Sequence, residues 1–63
     1  MVITLKSARV NAGLTQTEAA KLLGVGVDTL ANYEKGKTFP DVQVIKRIEN
    51  IYKIPYSNIF FSV

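Results

Sequence analysis

The segment that decides the fold is residues 15–36, which read TQTEAAKLLGVGVDTLANYEKG. Thr15 followed three positions later by Glu18 is typical of a capping box, in which each side chain accepts a hydrogen bond from the other residue's backbone amide at a helix start. The run GVG at 24–26 breaks the apolar pattern, and a second helix followed by a glycine is predicted over 27–34. Two helices of about two turns joined by so short a glycine-containing turn cross near a right angle. The segment therefore predicts a helix-turn-helix.

Start and stop signals elsewhere divide the rest of the chain into three more short helices. Thr4 and Asp41 are typical helix N-caps, and Pro55 suits the first position of a helix. The predicted fold is all-α, a compact bundle of five short helices over about 5–11, 16–23, 27–34, 42–52 and 55–60. The apolar side chains expected to face inward at helical spacing are Leu5, Ala8, Ala12, Leu30, Tyr33, Val42, Ile45, Ile48, Ile51 and Tyr52, with Tyr56, Ile59 and Phe60 as the apolar members of the fifth helix.

Both ends of the chain carry short runs of residues that favour an extended backbone. Val2 to Thr4 and Phe60 to Val63 are rich in β-branched and aromatic side chains. Two outcomes remain open for these runs. Either they pair as a small terminal β-structure, or they fray as many chain ends do.

The composition limits both the size and the class of the protein. A chain of 63 residues has room for one small core only, so we expect a single domain over 1–63 whose stability a second subunit would increase. An apolar content of 48% with 21% charged residues is typical of a folded globular protein. The sequence has no cysteine and no histidine, which removes disulfides, zinc-finger ligands, a thiol nucleophile and the usual general base. We therefore expect neither an enzyme nor a protein that needs a metal or cofactor.

The charge balance and the apolar runs suggest the kind of partner and the location. Eight basic residues against five acidic ones give a net charge of +3, which mildly favours a polyanionic partner. The longest apolar runs are short, and nothing near the start resembles a basic segment followed by a secretory core. A cytoplasmic location without membrane association is therefore the expectation.

Two stretches of the chain resemble a known family. GLTQTEAAKLLGV at 13–25 and LANYEKGK at 30–37 are similar to the phage repressor and Cro-like (XRE-type) family of helix-turn-helix transcriptional regulators. The similarity extends through Pro40-Asp41 and Ile54-Pro55 and covers roughly 5–60. It implies that the second helix crosses the DNA backbone while the third lies in the major groove of a double-stranded operator. One departure is Gly26, where family members often have Ser or Thr, so a side-chain contact to phosphate is missing there.

The resemblance assigns the base-reading role to four residues of the third helix, each of which also admits a structural interpretation. Val27 suits a thymine methyl but also a helix start, and Asp28 can accept from cytosine N4 or interact with the helix dipole. Thr29 can bond a base, a phosphate or its own backbone. Asn32 is the strongest candidate, because its amide can bridge N6 and N7 of adenine. The row lacks an arginine to bind guanine, so dimer symmetry and DNA shape are expected to matter.

Four further residues are predicted to contact phosphates. Thr15 and Gln16 lie at the start of the second helix, where unpaired amides and the positive end of the dipole suit an anion. By resemblance, Gln16 also braces the reading helix. Lys35 and Lys37 follow the third helix and would flank the same groove, although a solvated loop explains them equally well.

Two other sets of residues have predicted structural roles. The resemblance pairs Arg9 with Glu34 in an internal ion pair that ties the first helix to the end of the third. The apolar residues near the carboxyl end exceed what so small a core can bury, which favours a homodimer. Its predicted contacts are Ile59, Phe60, Phe61 and Val63.

These residues lead to two hypotheses for the function. The first is a sequence-specific DNA-binding transcriptional regulator, a repressor or Cro-like protein that binds a pseudo-palindromic operator as a homodimer, with helix 27–34 in the major groove. The alternative is an antitoxin or protein-interaction module that uses the same fold to hold a partner protein. No small-molecule ligand is expected, because the chain has no residues left for an inducer domain.

Overall fold

Four α-helices form most of the computed structural model, which describes residues 2–61 apart from the side chain of Phe60. The helices are α1 (Leu5–Asn11), α2 (Gln16–Leu23), α3 (Val27–Lys35) and α4 (Val42–Tyr52). A single 3-10 turn at Tyr56–Asn58 follows α4. Two short strands, β1 (Ile3–Thr4) and β2 (Ile59–Phe60), lie at either end of the described chain. The predicted mainly helical bundle with a helix-turn-helix is confirmed.

Side-chain caps fix the starts of three helices where the sequence predicts them. Thr4 Oγ1 accepts from the Ser7 amide at 3.0 Å at the start of α1. Thr15 and Glu18 form the complete capping box of α2, each accepting from the other's backbone N–H. The Asp41 carboxylate accepts from the Val44 amide at 2.9 Å. These caps satisfy amides that a helix cannot satisfy itself.

The core lies where the four helices and β2 meet. Leu5, Leu23, Leu30 and Ile48 are its largest fully buried side chains. Two of the predicted inward positions are wrong, because Ala12 is exposed and Val42 is 66% exposed. A rotation of 100° per residue puts Val42 about 160° around α4 from Val44. The buried face of α4 instead follows Val44, Ile48 and Tyr52.

The fifth predicted helix, over 55–60, is wrong. The chain makes one 3-10 turn after Pro55 and then extends, so that β2 pairs in parallel with β1 in the register Ile3 to Ile59 and Thr4 to Phe60. Of the two outcomes left open for the chain ends, pairing is therefore confirmed, while Ser62 and Val63 lie outside the described residues. The strand turns Ile59 into the core at 7% exposure and leaves Tyr56 46% exposed.

Candidate nucleic-acid interface

The turn between α2 and α3 is closed by a Schellman motif. Gly24 adopts the left-handed conformation at φ 74°, its amide donates to the carbonyl of Lys21 at 3.2 Å, and the Val25 amide donates back to Ala20 at 3.0 Å. A residue with a side chain is disfavoured at this φ, which explains the glycine. The chain then extends at Gly26, the N-cap of α3, which forms no side-chain cap. The result is a short, defined turn that presents the first turn of α3.

Helix α3 has an inner and an outer row of side chains. Leu30 is fully buried and Tyr33 is 9% exposed, and these two attach the helix to the core. Val27, Asp28 and Thr29 are all exposed on the first turn, with Val27 at 40%. Asn32, one turn further on, is partly buried. The helix therefore brings the four predicted base readers together, three of them exposed and Asn32 partly buried.

A buried ion pair holds the far end of α3. The Nε of Arg9 donates to Oε2 of Glu34 at 2.8 Å, and the two side chains are only 9% and 5% exposed. Arg9 also donates through Nη1 to the Leu14 carbonyl at 2.8 Å, in the loop before α2. Gln16 donates from Nε2 to Oε1 of Glu34 at 2.9 Å. One carboxylate thus joins α1, α2 and the end of α3.

The hydroxyl of Tyr52 on α4 lies close enough to this network for the charges of Glu34 and Arg9 to change its pKa. It is buried and forms no hydrogen bond within the described residues. Burial raises the pKa of Tyr52 to about 12, the negative charge of Glu34 adds to the increase, and the positive charge of Arg9 opposes it. The raised pKa therefore moves deprotonation of Tyr52 further into the alkaline range than that of an ordinary tyrosine.

The four predicted phosphate contacts lie at the edges of the same two helices. Thr15 is exposed, and its oxygen already accepts from the Glu18 amide, which leaves its hydroxyl proton free to donate. Gln16 is partly buried, and its amide nitrogen is engaged by Glu34. Lys35, the last residue of α3, and Lys37, just beyond it, are both exposed. The bracing bond of Gln16 is thus visible, while its contact with phosphate remains a prediction.

One side-chain contact at the end of α2 was missed by sequence reasoning. Arg47 of α4 donates from Nη1 to the carbonyl of Leu23, the last residue of α2, at 3.1 Å. A hydrogen bond between a side chain and a backbone carbonyl 24 positions away has no signature in the local sequence pattern. An arginine on the polar face of an amphipathic helix is ordinarily solvated, so nothing marked this one.

The predicted dimer contacts are only partly accessible. Ile59 is packed into the core of its own chain, so we no longer place it in an interface. The ring of Phe61 lies 5.4 Å from that of Tyr56 and 6.4 Å from that of Phe39, which is 69% exposed. The predictions for the side chain of Phe60 and for Val63 fall outside the described residues.

Residues 2–61 contain neither a cluster of metal ligands nor a helix that could cross a membrane. No group of three or more acidic or cysteine side chains is arranged to hold a metal ion in this part of the chain. Within the same residues, the helices are too short or too polar for any of them to cross a bilayer.

Comparison with known proteins identifies the class that this geometry defines, a helix-turn-helix domain, since the helix-turn-helix family model matches residues 5–58. The chain is 42% identical over 50 residues to the HTH-type transcriptional regulator ImmR of Bacillus subtilis (strain 168), in an alignment that covers 79% of this chain and 39% of the relative. It is 31% identical over 55 residues to the cryptic phage CTXphi transcriptional repressor RstR of Vibrio cholerae, covering 87% of this chain and 50% of the relative. No solved structure matches the chain.

The chain belongs to the XRE-type helix-turn-helix family of transcriptional regulators, as its sequence predicts. It spans half or less of the length of the curated relatives that it matches.

Proposed function

We propose that this domain is a sequence-specific DNA-binding transcriptional regulator that acts as a homodimer in the cytoplasm. The observation that carries the proposal is the exposed first turn of α3, whose side chains take no part in the core although both neighbouring segments are held firmly. A helix presented in this way fits the major groove, where base edges show distinct patterns of donors, acceptors and methyls. The two curated relatives are named as a transcriptional regulator and a transcriptional repressor, which supports the same reading.

In this proposal the outer row of α3 reads bases. Val27 contacts a thymine methyl, Asp28 accepts from cytosine N4, and Thr29 bonds the adjacent base or phosphate. Asn32 bridges N6 and N7 of adenine by turning its amide outward from the edge of the core. Each correct bidentate contact is worth about 1–3 kcal/mol of discrimination against the wrong base.

The edges of α2 and the loop after α3 contact the DNA backbone. Thr15 donates its free hydroxyl proton to a phosphate, and Gln16 contributes while it remains bonded to Glu34. Lys35 and Lys37 provide the charge. Only the two lysines displace counterions, and each therefore adds about 0.9 to the slope of binding against salt concentration.

The homodimer places two copies of α3 about one DNA turn apart, roughly 34 Å, on a pseudo-palindromic operator. The cluster of Phe39, Tyr56 and Phe61 supports an interface near the carboxyl end, because a partner would cover aromatic surface that one copy exposes. Phe39→Asp should produce monomers in sedimentation velocity without loss of helical signal, because Phe39 is 69% exposed. Val10→Asp, at a residue 57% exposed on α1, is the matched control. If the Phe39→Asp variant remains a dimer, the interface lies elsewhere on the surface.

Selection of binding sites from random duplex DNA tests the function itself. The expected result is a two-fold related consensus that binds at least about a thousandfold more tightly than scrambled DNA at the same salt concentration. If no selected sequence binds better than scrambled DNA, the regulator proposal fails and the protein-interaction module takes its place.

Substitutions separate the two kinds of contact. Asn32→Ala should change the preferred sequence, whereas Lys37→Ala should weaken binding to all sequences and reduce the salt slope by about 1 per protomer. Equal loss on every sequence for Asn32→Ala would remove it from the base readers.

A further inference from the structure

The junction between α2 and α3 is fixed by α4 as well as by its own backbone. The last four carbonyls of a helix have no partner within it. The Schellman motif satisfies Ala20 and Lys21, and Arg47 reaches across from α4 to satisfy Leu23 at 3.1 Å. The positive guanidinium also lies at the carboxyl end of α2, where the helix dipole favours a cation. Arg47 therefore fastens the turn to the element that closes the core.

Gly24 makes room for this contact. A Cβ built on Gly24 would lie 3.2 Å from Nη1 of Arg47, closer than an ordinary van der Waals contact. The same nitrogen is the one that bonds the Leu23 carbonyl. Glycine at this position thus serves two purposes, since it adopts the left-handed φ of 74° and leaves space for the guanidinium.

We propose that Arg47 is a positioning residue for sequence reading, which fixes the angle at which the turn presents α3 to the operator without touching DNA. The proposal rests on the proposed function. Glu34 holds the end of α3 through Arg9 and Gln16, and Arg47 holds the turn before its start. With both attachments in place, the first turn of α3 has one orientation. With the second removed, that turn can settle in several orientations, of which only some meet the base edges.

Nonspecific binding should respond differently from specific binding. Phosphate contacts tolerate small shifts, because the electrostatic attraction is diffuse, whereas hydrogen bonds to base edges need distance and direction. Loss of the Arg47 contact should therefore reduce the ratio of specific to nonspecific affinity. Loss of a phosphate contact would instead reduce both affinities together with the salt slope.

The test compares affinities for two duplexes of about 30 base pairs, three turns of DNA, one carrying the best selected sequence and one a scramble of it. Arg47→Met removes the donors but keeps the apolar stem. We expect the selectivity ratio to fall about fivefold to tenfold, the net size typical of one intramolecular hydrogen bond, because Arg47 is exposed and its charge is screened by water; the salt slope should be unchanged. Arg47→Lys, which keeps the charge and one donor group, should restore part of the ratio. All affinities are measured where circular dichroism shows each variant fully folded, with active protein counted by stoichiometric titration.

Two glycines provide a matched control. Gly13 and Gly24 have φ of 76° and 74°, but a Cβ at Gly13 meets nothing within 4 Å. Asparagine tolerates this conformation, so Gly24→Asn tests the space beside Arg47 while Gly13→Asn tests the backbone alone. Since Nη1 of Arg47 must give by only a few tenths of an ångström to admit a Cβ, we expect Gly24→Asn to lower the selectivity ratio by less than Arg47→Met does, and to have no effect once Arg47 is Met. Gly13→Asn should leave the ratio unchanged.

Several outcomes would overturn the positioning role. If Arg47→Met lowers the specific and the nonspecific affinity by the same factor, the role of Arg47 is purely structural. If it lowers the salt slope by about 0.9, Arg47 contacts a phosphate. An unchanged ratio, or equal effects of Gly24→Asn and Gly13→Asn, would also refute it. If the unsubstituted protein binds the two duplexes equally, the proposed function as a sequence-specific regulator is refuted. That result is distinct from a refutation of the positioning role, which requires an unsubstituted protein that does discriminate.

Discussion

Removal of one partner from the pair of Arg9 and Glu34 should cost a large part of the stability of this protein. A domain of 63 residues has a free energy of unfolding of roughly 3–9 kcal/mol at the usual 0.05–0.15 kcal/mol per residue. Glu34→Leu leaves the guanidinium of Arg9 at 9% exposure without its counter-charge and also frees the amide of Gln16. Breaking a buried pair in this way costs about 3–5 kcal/mol, so the variant should be at the edge of folding.

The double variant should be far more stable than the sum of the single ones predicts. Arg9→Met removes the other charge, and in the double variant neither charge is left buried. The Leu14 carbonyl and the Gln16 amide remain without partners, at about 1 kcal/mol each. The double variant should therefore lose about 2 kcal/mol where the single losses sum to about 6–10 kcal/mol.

Urea unfolding followed by circular dichroism measures all four proteins, with sucrose added equally to each so that the single variants remain folded. The coupling between the two sites should exceed about 3 kcal/mol. Single losses below about 1 kcal/mol, as for a surface pair, or a double loss equal to the sum would refute this reasoning.

Four further predictions concern stability. Tyr52→Phe should raise it by about 1 kcal/mol in urea titrations, because a buried hydroxyl without a partner is removed; a loss of stability would show that the hydroxyl is satisfied. The unfolded tyrosine loses its proton near pH 10 and the folded one near 12, so the stability of the unsubstituted protein should fall by up to about 2 kcal/mol across that range, and less in Tyr52→Phe. The backbone and side-chain hydrogen bonds with Thr15 lower the pKa of Glu18 below 4.5. The contribution of the ionised Glu18 to the stability of the fold is therefore present above pH 4.5 and is lost as the pH falls through the lowered pKa. Thermal melts of Glu18→Gln should accordingly show a shallower acid loss, and an identical acid profile would contradict this. Asp41→Ala should cost about 1 kcal/mol through the lost cap of α4, and a melting temperature equal to that of the unsubstituted protein would show that the cap is idle.

Local signals in the sequence were sufficient for most of the fold. The caps at Thr4, Thr15 and Asp41 lie beside the helices that they start, and such contacts span three positions. The chain ends required more than local information. The parallel pairing of Ile3 with Ile59 joins residues at opposite ends of the sequence, and it requires extended backbone where the local pattern after Pro55 predicts a helix.

The candidate site was predictable to a similar degree. The family resemblance paired Arg9 with Glu34 and assigned a bracing role to Gln16, and the structure has both contacts. It gave no indication of Arg47, whose acceptor is a backbone carbonyl and therefore carries no residue identity. Asn32 was predicted to be the strongest base reader, but its side chain is partly buried while those of residues 27–29 are exposed.

The separation of α3 into two rows means that anchoring and exposure belong to different side chains. Leu30, Tyr33 and Glu34 hold the helix, whereas the side chains at 27–29 are exposed and lie outside the core. Substitutions at these three positions can therefore accumulate at little cost to folding. If these three residues read bases together with Asn32, a lineage can alter its operator preference by exchanging them on an unchanged scaffold, and an engineer can transplant them from one relative into another. Preferences for DNA should then diverge faster among such proteins than their cores do.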